Sequence, residues 1–175
     1  MSKNIKRLVP QRGMMMIEAL MAILVFSLGV LGMVGVNSLA ASTQSDAQYR
    51  NEANRLANRI VNEMWLNVDR SNDGANLPGS LATFSHRADD PTLLAPAGNP
   101  CANKAGTPSA NPLVTGWVTD ATGGGAAGVL GGLPGATTTM QQIVVGADNQ
   151  VTVTVCWKAP TDIAVRRHVV TSFIN

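Results

Sequence analysis

Few residues of this chain have types and spacings that could do chemistry. They are two histidines, two cysteines, a glycine-rich run, an acidic turn and one acid inside an apolar stretch. His86 and His168 stand far apart, in no metal-ligand spacing, and are expected to be surface or strand residues without a site role. No Gly-x-Ser-x-Gly elbow occurs to present a nucleophile. Gly123-Gly124-Gly125-Ala126-Ala127-Gly128 matches Gly-x-Gly-x-x-Gly literally, but no convincing strand precedes it, so a flexible loop is the expectation and nucleotide binding is not. Asp69-Arg70-Ser71-Asn72-Asp73-Gly74 resembles the start of a calcium loop. The bidentate Glu that such a loop needs would fall at Ser80, so a helix-ending turn is expected instead. No catalytic residue, no cofactor and no metal site follows, and the chain reads as a non-enzyme.

The remaining candidate is Glu18. It interrupts an apolar stretch that begins at Met14, and between Ala19 and Val36 no residue is charged and only Ser27 is polar. At about 1.5 Å per residue such a helix crosses most of a bilayer. A carboxylate there costs roughly 2.5–3.5 kcal/mol at the bilayer centre and less near its edge, so its presence needs a reason. A secretory signal is one reading, with Lys3, Lys6, Arg7 and Arg12 as its basic region and a cut after Ala40. Its apolar region would exceed the usual ~7–15 residues and would carry an unexpected acid. A plain single-span anchor leaves Glu18 unexplained.

A third reading rests on likeness. A basic leader ending in Gly13, an apolar Met14 and then Glu18 four residues further on resemble the class III signal of type IV pilins and their pseudopilin relatives. Met14 stands where members usually carry Phe, and Gly29, Gly32 and Gly35 lie in a helix where many members have Pro. The resemblance implies cleavage after Gly13 by a prepilin peptidase, N-methylation of Met14, and a role for Glu18 in assembly. The three glycines have two readings: close helix packing in the membrane, or easier loss of helical order in a filament.

The elements that must carry these residues follow from periodicity. Residues 1–13 are a targeting leader, 14–36 the transmembrane half of a long helix, and 37–68 its amphipathic half. Tyr49, Ala53, Leu56, Ala57, Ile60, Met64 and Trp65 recur at steps of three and four as one stripe, with Arg50, Glu52, Arg55, Arg59 and Glu63 opposite. The two halves predict one rod of about 50 residues, on the order of 80 Å long. Residues 69–175 form the head. Up to Pro112 it reads as a loop rich in proline. Asn111-Pro112 then predicts a capped short helix with Leu113, Val114, Trp117, Val118 and Ala121 on one face.

After a Gly-rich connection from Gly123 to Gly135, the chain reads as antiparallel sheet. Val151, Val153, Val155 and Trp157 alternate with Thr152, Thr154, Cys156 and Lys158. Met140 to Val145 forms the strand before it, Gly146-Ala147-Asp148-Asn149 the turn, and Val165 to Ile174 the strand after. The Val/Trp face should meet the helix stripe. The fold class is therefore α+β, a long N-terminal helix packed on a C-terminal antiparallel sheet, and it resembles the pilin fold over the whole mature chain. Leu31-Gly32-Met33-Val34-Gly35, Trp65-Leu66-Asn67, Leu133-Pro134-Gly135 and Val153-Thr154-Val155-Cys156-Trp157 resemble minor pilins of the PilV type.

Charge and cysteine usage agree with export. Four of the 13 basic residues lie in the leader, so the rest carries 9 basic against 11 acidic side chains beneath a formal net charge of +2. That is no nucleic-acid surface. The basic leader before an apolar span keeps the leader cytoplasmic and sends the head outward, into the periplasm. In that compartment the two cysteines, Cys101 and Cys156, favour a disulfide, with two buried free thiols as the alternative. Cys156 would face away from the helix, where a bond to Cys101 holds the long loop down.

The resemblance implies a minor pilin in the inner membrane, then in the pilus at the cell surface. Its partners would be other minor pilins, the major pilin and the inner-membrane assembly platform. A minor pseudopilin of a type II secretion system and an exported binding module cut after Ala40 are the alternatives.

Overall fold

A computed structural model of the chain describes residues 14–88, 101, 106–125, 132–160 and 162–175. The leader with Gly13, and Asp89-Asp90, which the sequence places as a solvated loop pair, lie outside the described residues. The described chain is α+β, and it divides into two compact units between Ser45 and Asp46.

Helix α1 (Met14–Asn67) has 54 residues and contains no proline, the residue that would remove a donor and clash with the preceding turn. In the first unit its side chains from Met15 to Gln44 are all exposed. This part is long and apolar enough to cross a membrane, with a mean hydropathy of 2.5 over its most apolar window. Ser27 adds no unpaired donor to it, because its Oγ donates to the Ile23 carbonyl at 2.7 Å. A Cβ added at Gly29, Gly32 or Gly35 would meet nothing within 4 Å, so no packing among the described residues requires these glycines.

In the second unit the stripe of α1 is the spine of the core. Ala53, Leu56, Ala57, Ile60 and Met64 are fully buried, joined by Val61 and Val68, and Tyr49 packs at the margin. Trp65 departs from the expected stripe. It is 39% exposed, and the Arg70 guanidinium lies 5.3 Å from its ring centroid, a cation–π contact that leaves the ring at the surface.

Residues 69–76 turn the chain, with Asn72, Asp73 and Gly74 at positive φ. The expected loop beyond is interrupted by helix α2 (Leu77–Ala82). Its Pro78 lies in the first turn, where no intrahelical partner is needed, and Leu77 and Leu81 are buried one turn apart. Helix α3 (Pro112–Thr122) begins as expected: Asn111 is extended and its side chain accepts from the Leu113 N–H at 3.0 Å. Gly123, at φ 72, ends it. Val114, Trp117, Val118 and Ala121 are buried against α1, and Trp117 Nε1 donates to the Leu56 carbonyl at 2.9 Å.

The sheet has three antiparallel strands in the order β1 (Gln142–Val145), β2 (Gln150–Trp157) and β3 (Arg166–Phe173). Asp148 and Asn149 turn the first hairpin at φ 56 and 58, which short polar side chains tolerate. Val151, Val153, Val155 and Trp157 join the α1 core. The opposite face of β2 is less open than simple alternation predicts, since Thr154 and Cys156 are buried too. Gln141 explains part of this. Its side-chain amide accepts from the Cys156 N–H at 3.1 Å and donates to the Cys156 carbonyl at 3.0 Å, in place of a strand neighbour.

Candidate functional site

Two groups of expected site residues fall in different units. Met14 is the first residue of α1, and Glu18 lies four residues on, one turn further along the helix. Glu18 is exposed and has no hydrogen bond or ion pair within the described residues. Its charge therefore has no use among the described residues. In the second unit Cys101 and Cys156 form a disulfide, with their Cα atoms 5.8 Å apart and both residues wholly buried. Cys156 pairs with Arg167 across the ladder, on the face turned away from the Val/Trp core.

The other motifs resolve into local structure. Asp69 accepts from the Ser71 N–H at 2.8 Å and from Asn76 Nδ2 at 3.1 Å. These bonds hold its carboxyl below the ordinary carboxylate range. Its oxygens are thus occupied in closing the turn after α1. Gly123 to Gly125 continue α3 as one 3-10 turn, so a helix and not a strand precedes them, and Ala126 to Gly128 lie outside the described residues. Among the described residues no group of three His, Cys, Asp or Glu side chains is placed to hold a metal ion.

His86 is not a surface residue. It is only 4% exposed and forms an isolated bridge to Ile143, each N–H donating to the other's carbonyl at 3.0 Å. Its Nδ1 accepts from the Ser109 N–H at 3.1 Å, which requires that nitrogen to be unprotonated. Burial pushes its pKa below the ordinary 6.5; the Arg87 charge acts the same way and the Thr138 backbone opposes.

A pH dependence follows. The unfolded chain takes up a proton at His86 below about pH 6.5 while the folded chain resists it, so the stabilisation present above that pH is lost as pH falls toward the folded pKa. The urea midpoint should fall between about pH 7.5 and pH 5, and fall less in His86→Gln. Equal slopes in the two proteins would remove His86 as the cause. The depressed carboxyls of Asp69, Asp162 and Glu52 act in a separate window, at and below their ordinary 3.8 to 4.5.

One feature of the second unit was not visible in the sequence. A groove of about 650 Å³ opens between α1 and β3, with Arg50, Asn51 and Asn54 on the helix side and Arg166, Arg167 and His168 on the strand side. Trp157 also lines it. Arg166 is paired, with Asp46 at 3.0 Å and with Asp162. Among the described residues Arg50 and Arg167 have no acidic partner. The only local signal was the run Arg166-Arg167-His168, since Arg50 reads as one more charge on a solvated helix face. Comparison of the chain with protein-family models, with curated proteins and with solved structures found no match to any of them.

Proposed function

We propose that this chain is a structural subunit of a type IV pilus: a minor pilin of the PilV type, cut after Gly13, anchored in the inner membrane with its head in the periplasm, and then assembled with other pilins. The observation that carries the proposal is α1 itself. One helix, Met14–Asn67, has an exposed apolar half bearing a single acid, unpartnered among the described residues, and an amphipathic half that forms the spine of a head closed by a three-stranded antiparallel sheet. An exposed apolar helix face needs a non-aqueous environment, first lipid and then the apolar faces of neighbouring helices. The charge of Glu18 then finds its use between subunits. The amine freed on Met14 and a carboxylate about 4 Å away attract by roughly 4 kcal/mol at an effective dielectric of ~20. Meeting the amine of a neighbouring copy, Glu18 sets the register of the bundle.

The cut after Ala40 is disfavoured by local structure. That residue lies within α1, where the Ser42 and Thr43 hydroxyls donate back to the Leu39 carbonyl. A minor pseudopilin of a type II secretion system shares the whole argument, and neighbouring genes separate the two.

The mass of the mature protein tests the processing step. A chain beginning at a methylated Met14 is expected, and one beginning at Ala41 would overturn the assignment. Gly13→Val, which crowds the cut, should leave the precursor whole in the membrane. Glu18→Ala should be cleaved and inserted normally but lost from co-purification with partner pilins. Recovery in full amount would show that the carboxylate has no part in assembly.

A further inference from the structure

Antiparallel pairing turns the backbone groups of alternate residues to opposite sides of a strand, so the ladder fixes which groups of β3 face outward. The Ile174 N–H donates to the Asn149 carbonyl, and the register runs without a bulge from Gln150↔Phe173 to Trp157↔Arg166. Arg166, His168, Val170 and Ser172 therefore turn their N–H and C=O groups to β2. Arg167, Val169, Thr171 and Phe173 turn theirs away from the sheet. All four of these residues are exposed, and among the described residues their backbone groups have no hydrogen-bond partner. The other edge of the sheet is different. β1 has four residues, and its outward Ile143 is closed by the two bonds to His86. β3 has eight residues, no proline and no bulge, the devices that keep an edge from pairing.

We propose that the outer edge of β3 pairs antiparallel with the same edge of a second copy of this chain, joining two sheets into one. The strand is complementary to itself in one register. With Arg167 opposite Phe173 of the second copy and Val169 opposite Thr171, the outward N–H groups of each strand meet the outward carbonyls of the other. That register overlaps the whole strand and is two-fold symmetric. It also keeps charge apart. The basic run Arg166-Arg167-His168 lies at one end of β3, so antiparallel copies place the two runs about 20 Å apart at ~3.4 Å per residue. Parallel pairing would set Arg167 beside Arg167, like charge against like. Val169 and Thr171 are both β-branched and suit a cross-strand pair, while Phe173 can cover the Arg167 stem. The inference rests on the sheet edge alone and stands or falls apart from the membrane and filament reading.

The test is the protein mass of the full chain in non-ionic detergent, read by light scattering over a dilution series. A concentration-dependent dimer is expected. Thr171→Pro removes an N–H that bonds nothing among the described residues, and beyond that only the 3.4 Å hydroxyl contact with Thr152. It should stay close to the wild-type urea midpoint and weaken the dimer at least about tenfold. Charge tests the register without touching the backbone. Val169→Lys with Thr171→Lys sets like charges across the joint and should leave a monomer. Val169→Glu with Thr171→Lys sets opposite charges there and should restore the dimer, more weakly as salt rises. Arg55→Ala, on α1 and away from the sheet, should dimerise as wild type does. A dimer that survives both Thr171→Pro and the two-lysine variant is held elsewhere and overturns the edge. Failure of the opposite charges to restore it overturns the register. A chain monomeric at every concentration overturns the self-pairing, and a fluorescent Thr-Val repeat peptide bound by that monomer but not by Thr171→Pro assigns the edge to a foreign strand.

Discussion

Replacing Trp117 by alanine should bring the head close to unfolding. Trp117 is the largest of the fully buried side chains and joins α3 to the spine of the core, packed among Leu56, Ile60 and the apolar face of its own helix. Truncating a buried tryptophan to alanine costs about 3–5 kcal/mol through lost burial and the cavity left behind. A domain of this kind holds only about 5–15 kcal/mol in total. The hydrogen bond from Nε1 to the Leu56 carbonyl is a smaller part of the loss, about 1 kcal/mol, since that oxygen also belongs to the backbone ladder of α1.

Trp117→Phe separates the two contributions. It should keep most of the burial, lose the hydrogen bond and cost well under half as much as Trp117→Ala. The measurement is the urea midpoint of the full chain in non-ionic detergent, at constant m. A Trp117→Ala midpoint close to wild type would mean that α3 is not part of the core.

Much of this fold was legible because its signals are local. Steps of three and four from Ala53 to Met64 place a helix face without knowledge of what covers it. Asn111 followed by Pro112 starts α3, and strict alternation from Val151 to Trp157 makes a strand. These are short-range rules, and the chain obeys them. The departures are tertiary. Trp65 has the spacing of a core residue, yet it sits near the end of α1, where Arg70 holds its ring at the surface. Pro78 argued for a loop, but in a first turn a proline is tolerated, and the burial of Leu77 and Leu81 decides the matter. His86 and Thr154 look like surface residues until the bridge to Ile143 and the neighbours of Cys156 close over them.

The site divides in the same way. Gly13, Met14 and Glu18 stand out because their order along the chain is the signal. Arg50 and Arg166, which both line the groove between α1 and β3, are separated by more than a hundred residues, so nothing in the sequence could join them before the strand order and the helix face were known. Cys101 and Cys156 lie between these extremes, since their number suggested a bond and only the fold could bring them together.

That bond yields the second large effect. Cys101 and Cys156 are 55 residues apart, and closing a loop of that length restricts the unfolded chain by roughly 4 kcal/mol in the entropic account. Its place in the fold raises its importance. Cys156 lies on the face of β2 away from the α1 core, and on the β1 side its backbone is held by the side chain of Gln141 where strand pairing has ended. Cys101 Sγ is 3.7 Å from the Arg166 carbonyl, so Cys101 lies against the start of β3 as well. Cys156→Ser should therefore lower the stability of the head by about 2–5 kcal/mol. It also leaves a thiol at Cys101 and a hydroxyl in a buried position. Reduction of the wild type should reproduce most of the loss without changing the composition of the core. The unreduced protein should show no thiol that can be alkylated, even after denaturation, and two after reduction. Loss of the urea midpoint shift in reduced wild type, or two alkylatable thiols in the unreduced protein, would remove the disulfide from the account of stability.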